Sequence, residues 1–61
     1  MFLFHVKFKV TGVNTPVIVA IHAENEYIAT KNALQKVENA FKKDLAFRTI
    51  KHLVTTEKGV V

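Results

Sequence analysis

The three histidines are the residues of this 61-residue chain whose spacing first suggests chemistry. His5 and His22 lie in two apolar segments, and His52 lies in a third. If these segments are neighbouring strands, the imidazoles can share one sheet face, where they would bind a transition metal or respond to pH. No carboxylate accompanies them to complete or orient such a site. We therefore interpret them as ordinary polar-face residues and expect no metal and no cofactor.

The parts of a catalytic centre are otherwise missing from the sequence. It contains no Cys and no Ser, which excludes disulfides, thiolate zinc sites and the common nucleophiles. Gly12 and Gly59 are too far apart to form a phosphate-binding loop. Glu24 and Glu26 stand at an expected helix start, where carboxylates stabilise the helix dipole. We expect a protein that is not an enzyme and has no small-molecule substrate.

Basic residues outnumber acidic ones, nine against five, which gives a net charge of +4. This charge favours polyanionic partners, although it also serves to keep a small protein dispersed. Either Arg48 or Lys51 is expected to join the lysines of the first strand, according to the face each one takes. The candidates for contacts with nucleic-acid phosphates are Lys7, Lys9, Arg48, Lys51, Lys42 and Lys43. Such contacts supply affinity without distinguishing the bases.

The segment Phe2–Val10 is the element that must position the first of these residues. Large apolar residues occupy its even positions, and Leu3, His5, Lys7 and Lys9 occupy its odd positions. Strict alternation predicts a β-strand with one buried face and one basic face. Because its phenylalanines face the core, the basic face has no aromatic platform for base stacking, and contacts with the nucleic-acid backbone are favoured.

A turn and a second strand follow. Residues 11–16 contain Gly, Asn and Pro, and residues 17–23 are apolar and rich in β-branched types. The expected partners across this hairpin are Val10 and Val17, Phe8 and Val19, Val6 and Ile21, Phe4 and Ala23, and His5 and His22. A shift of one residue would set apolar against polar side chains, whereas a shift of two would preserve the pattern.

Residues 25–43 predict a helix that begins at the N-cap Asn25. Its apolar stripe is expected to cover the sheet, and Ile28 is expected to be partly exposed. The members of the stripe are Tyr27, Thr30, Ala33, Leu34, Val37, Ala40 and Phe41. Lys42 and Lys43 stand at the helix C-terminus, where cations offset the dipole.

Residues 45–56 favour a third strand, with a bulge because the alternation is imperfect. A continuation of the helix remains open, since no Gly or Pro intervenes. The predicted fold is α+β: a single β-β-α-β domain over residues 1–56, in which a three-stranded antiparallel sheet of order 2-1-3 has the helix on one face. Residues 57–61 are expected to form a flexible C-terminal tail.

The second functional hypothesis is a protein–protein interface on the sheet face away from the helix. Apolar and polar residues are mixed there: Leu3, His5, Ile18, Ala20 and His22. Such a face, or an edge strand, can contact a second copy or another protein. A homodimer is one form that this contact can take, because a chain of this size has a small core.

No membrane association is expected. The sequence lacks an apolar run of the ~18 residues that a spanning helix needs. His5, Lys7 and Lys9 interrupt the apolar N-terminus, so it does not resemble a signal peptide. We expect a cytoplasmic protein.

Three segments resemble the archaeal large-subunit ribosomal protein LX family. They are Phe8-Lys9-Val10-Thr11-Gly12, residues 23–29 at the helix start, and Arg48 followed by Ile50. The family has the same β-β-α-β order, and the resemblance implies binding to ribosomal RNA, which favours RNA over DNA. The hairpin is shorter here, and Lys42-Lys43-Asp44 replaces the family's Gly-Ser-basic turn. Small phage or mobile-element accessory proteins have the same topology, so an accessory protein acting on a partner protein remains the alternative.

Overall fold

Three antiparallel strands and one helix follow each other in the predicted order. The structure, a computed structural model, describes residues 1–44 and 48–60. Its elements are β1 (Phe2–Val10), β2 (Val17–Ala23), α1 (Glu26–Ala40), a short 3-10 helix (Lys42–Asp44) and β3 (Ile50–Val60). The sheet order is β2-β1-β3, and α1 packs on one face of the sheet. The predicted α+β fold is therefore confirmed.

The alternation in β1 determines which face of the sheet is buried. Its even positions from Phe4 to Val10 are almost completely buried, because they lie under α1 at the centre of the sheet. The core consists of Phe4, Val6, Phe8, Val10, Ile21, Ala23, Ala29, Ala33 and Val37. The helix contributes mainly small side chains to this core, which allows it to lie close to the phenylalanine rings.

Asn25 is the N-cap of α1, as predicted, because its side-chain oxygen accepts a hydrogen bond from the Ile28 N–H at 2.9 Å. The buried side of the helix follows Ala29, Ala33 and Val37, each one turn from the last. Tyr27 was expected on this side but is 75% exposed. Two helical positions differ by about 200° in direction, so Tyr27 points away from the sheet when Ala29 faces it.

The hairpin register differs from the predicted one by two residues. Val17 pairs with Phe8 and not with Val10, and the sides of the sheet are unchanged because a shift of two preserves them. The other pairs include Val6 with Val19, Phe4 with Ile21, Phe2 with Ala23 and His5 with Ala20. The Thr11 N–H donates to the Thr49 carbonyl at 3.1 Å. β1 therefore continues beside β3 after it has left β2, and the connection to β2 is longer than expected.

β3 confirms the predicted bulged strand and corrects its limits. Residues 45–47 of the predicted strand lie outside the described residues, and β3 begins at Ile50. The expectation of a loose tail is wrong for residues 57–60, which belong to β3. Three of them pair with Phe4, Leu3 and Phe2 of β1: Glu57, Gly59 and Val60. The N–H and C=O groups of β1 need partners on both sides, and this segment supplies them. Two register shifts leave Leu53 and Lys58 without a partner in β1.

Arg48 fastens the start of β3 to the hairpin turn. Its Nη1 donates to the Thr11 carbonyl at 2.8 Å, and its guanidinium carbon lies 5.3 Å from the centre of the Phe41 ring. Gly12 has a φ of +86°, and a methyl group there would lie 3.1 Å from this Nη1. Glycine thus meets both the backbone and the space requirement of the turn.

Within the described ranges, none of the helices is both long enough and apolar enough to cross a lipid bilayer.

Candidate functional site

The sheet face turned away from α1, the open face, forms a lattice of side chains from all three strands. Its positions follow from the register, because they alternate with the buried positions of β1. From the turn end, its rows are Lys9 and Lys51; Ile18, Lys7 and Val54; Ala20, His5 and Thr56; and His22, Leu3 and Gly59. The residues predicted for a protein interface therefore share this face with the basic residues Lys7, Lys9 and Lys51.

Two cations stand directly opposite each other at the turn end of the open face. Lys9 and Lys51 are register partners and both are exposed. Like charges in this position destabilise a sheet, so folding does not explain the pair. Lys7 lies two residues before Lys9 in β1, about 7 Å from it along the strand. Neither Lys9 nor Lys51 forms an ion pair within residues 1–44 and 48–60.

Carboxylates are absent from the described rows of the open face. Glu24 lies in the connection to α1, and Glu26 and Glu38 lie in α1 itself. Glu57 is in register with Phe4, a residue of the buried side. Asp44 belongs to the 3-10 helix after α1. The positive charge of the open face is therefore not neutralised by its own strands.

A shallow cavity of about 160 Å³ lies in the middle of the open face. It is lined by His5, Lys7, Ile18, Val54, Thr56 and Lys58. Ile18 and Val54 are 57% and 45% exposed, although both are large apolar side chains. They flank Lys7 in a single row, so the cavity combines apolar walls with cationic and hydrogen-bonding groups.

Three of these cavity residues, Val54, Thr56 and Lys58, were not predicted from the sequence. Positions 54, 56 and 58 alternate in the sequence, as residues on one face of a strand do. They were missed because the strand was expected to end at residue 56.

The three histidines do not converge. His5 pairs with Ala20, and His22 pairs with Leu3, so the predicted His5–His22 pair is replaced by a diagonal arrangement. The expectation that His52 reaches the same face is wrong. It is in register with Phe8, and the two rings are 5.8 Å apart on the helix side. In the part of the chain that the structure describes, no three His, Asp or Glu side chains are grouped to hold a metal ion.

The remaining predicted cations lie outside the rows of the open face but at the turn end of the molecule, near Lys9 and Lys51. Arg48 bonds to the turn and does not join Lys7 on the sheet, whereas Lys51 does. Lys42 and Lys43 directly follow Phe41, the residue that Arg48 contacts. The turn end is therefore a basic end, where two acidic residues, Glu38 and Asp44, accompany five cations: Lys9, Lys42, Lys43, Arg48 and Lys51. Glu24, Glu26 and Glu57 lie toward the opposite end.

A second, more open groove of about 560 Å³ lies between the start of α1 and β3. The Thr30 and Thr55 hydroxyls are 2.6 Å apart there, and the His52 Nε2 lies 2.8 Å from the same Thr55 oxygen. A His–Thr contact can activate a nucleophile. Here the Thr55 hydroxyl contacts both Thr30 and His52, so the network joins the helix to β3. Sequence reasoning missed this network, because Thr55 and His52 come together only through the bulge at Leu53.

Comparisons with protein-family models, with curated proteins and with solved structures found no match to this chain. Its function must therefore be argued from the chemistry of the open face and the basic end.

Proposed function

We propose that the protein binds nucleic acid without catalysis, through contacts of the open face with phosphates. The observation that supports this most directly is the opposed pair of Lys9 and Lys51 on a face whose described rows hold no carboxylate. Phosphate groups placed between the two ammonium groups would relieve their repulsion. RNA is the proposed ligand in preference to DNA, on the strength of the resemblance to the ribosomal protein LX family.

The placement of the cations suits a phosphate chain. Lys7 and Lys9 repeat along β1 at about 7 Å, and Lys51 lies beside Lys9 on the next strand. Lys42 and Lys43 extend the positive surface around the basic end. Each lysine that neutralises a phosphate releases counterions, so the affinity should depend strongly on salt.

A variant with Lys9→Gln and Lys51→Gln is expected to bind RNA more weakly and with less dependence on salt. Loss of two phosphate contacts should reduce the slope of log affinity against log salt by about 1.4 to 1.8. Fluorescence polarisation with labelled RNA, between about 50 and about 200 mM salt, measures this slope.

The matched control changes Lys31 and Lys36 to Gln. These lysines are exposed on α1, away from the open face, and their loss changes the net charge equally. An equal loss of affinity in both double variants would show that binding follows net charge and not this face. An unaltered protein that bound no nucleic acid at micromolar concentration would contradict the proposed function.

The exposed apolar pair on the open face supports a second candidate function, a protein–protein interface. Ile18 and Val54 are 57% and 45% exposed on either side of Lys7. Two copies meeting through this face would bring their lysines together, which opposes a homodimer built this way. The partner in this candidate is therefore an acidic surface of another protein, as an accessory protein would require.

Ile18→Lys separates the two candidates, because it adds a cation and removes an apolar contact. It should retain salt-dependent binding to phosphates but abolish binding to a protein partner. Pulldown from a native lysate with and without nuclease, using both forms of the protein, measures this difference. If every captured component disappeared after nuclease treatment, or if Ile18→Lys retained the same protein, the second candidate would be wrong.

A further inference from the structure

We infer, as an extension that rests on the proposed nucleic-acid function, that the ligand is single-stranded and that the cavity of the open face receives one of its bases. The argument starts from the six residues that line the cavity, because they combine three kinds of group. Two apolar side chains, two uncharged polar side chains (an imidazole and a hydroxyl) and two ammonium groups surround about 160 Å³ of space.

The walls and floor match the parts of a nucleobase. A base has apolar faces and polar edges. Ile18 and Val54 offer exposed apolar surface, and the half-buried His5 offers a ring on which a base can stack. The Thr56 hydroxyl can donate to or accept from a base edge. The stacking platform that the inward-facing phenylalanines cannot provide is thus supplied by a histidine.

The cations stand on two sides of the same cavity. Lys7 belongs to β1, in the row of Ile18 and Val54, whereas Lys58 comes from β3 near the row of Leu3 and Gly59. The phosphates on either side of a base seated between them would lie toward the two flexible ammonium groups. This arrangement fixes a nucleotide by its base and its backbone together.

A duplex fits these observations less well. Its bases are paired and stacked, so it would present charged backbone to Ile18 and Val54 and would remove their surface from water without an apolar partner. Proteins that enter a groove of DNA do so with a projecting helix or ribbon, and RNA duplexes are contacted along a wide minor groove. The open face instead has an apolar centre with cations around it, which matches unpaired nucleotides.

Polarisation assays with short labelled RNAs of one length, single-stranded or duplex, test the inference. We expect the single strand to bind at least about tenfold more tightly than the duplex. His5→Ala should weaken binding of the single strand by about 5- to 150-fold, the range for one stacked base. His5→Phe, which keeps a ring, should restore it.

His22→Ala is the matched control, since His22 lies on the open face in the row of Leu3, beyond the cavity residues. It should weaken binding much less than His5→Ala does. A single strand of abasic nucleotides keeps the phosphates and removes the bases, so it should bind the unaltered protein at least as weakly as the normal strand binds His5→Ala.

The abasic strand should lose nothing further with His5→Ala, because the lost contact is the same one. Equal binding of duplex, abasic and normal strands, with His5→Ala unchanged, would overturn this inference while leaving the phosphate-binding function intact. Absence of binding to all three would overturn the proposed function itself.

Discussion

The Phe8→Ala variant is expected to lose most of the free energy of unfolding of this domain. Phe8 has 0% exposure at the centre of β1, and its ring contacts His52. Truncation of a fully buried phenylalanine costs about 3 to 5 kcal/mol, because the transfer free energy is lost and a cavity remains. A domain of this length has a free energy of unfolding of only about 3 to 9 kcal/mol. One substitution can therefore remove most of it.

Circular dichroism during urea unfolding measures this effect. Phe2→Ala is the control, because it truncates the same type of side chain at a half-buried position at the end of the same strand. It should keep a cooperative transition with a smaller loss. If Phe8→Ala lost no more stability than Phe2→Ala, the centre of the core would lie elsewhere.

Thr55→Val is expected to lower the free energy of unfolding by about 1 to 3 kcal/mol. The substitution preserves shape and strand preference but removes the hydroxyl that contacts both Thr30 and His52. The contact with Thr30 is partly buried, so the hydroxyl of Thr30 would be left without this partner in a place that water reaches poorly. An unsatisfied buried group of this kind costs about 1 to 3 kcal/mol.

Thr56→Val is the matched control, since it makes the same change one residue later on the exposed open face. Its free energy of unfolding should change by no more than about 0.5 kcal/mol. The midpoint of urea unfolding, at constant slope, gives both values. Equal effects of the two substitutions would show that the Thr30–Thr55–His52 network does not join α1 to β3.

The elements of the fold could be predicted because local patterns agree with the global arrangement. Alternation in β1 identifies the central strand, and Asn25 marks the helix start through its own side chain. Both signals arise within a few residues of the chain. Tyr27 shows the limit of this approach, because the direction in which a helix faces depends on the sheet beneath it.

The pairing register could not be predicted, for a related reason. Val17 opposite Val10 and Val17 opposite Phe8 bury the same faces, so hydrophobic pattern does not distinguish them. In the structure Thr11 instead forms hydrogen bonds with Thr49, a residue that is distant in sequence. The extent of β3 was missed because its pairing with the start of β1 outweighs the weak strand signal of residues 57–60.

The candidate site was predicted in part. The alternation of β1 placed Lys7 and Lys9 on one face, and Lys51 joined them once β3 was in register. Arg48 has instead a long-range structural contact with Thr11, which nothing nearby in the sequence indicates. Lys58 depends on a register shift, and such shifts are not visible in composition or period.

The two register shifts of β3 also affect the exposed edge of the sheet. β3 spans Ile50–Val60, and in the described part of the chain its outer edge has no partner strand. A long, regular edge would be a template on which further strands could add. The extra residues Leu53 and Lys58 bend and twist the strand, so its N–H and C=O groups do not form one straight row. The edge is thereby made less suitable for growth of the sheet.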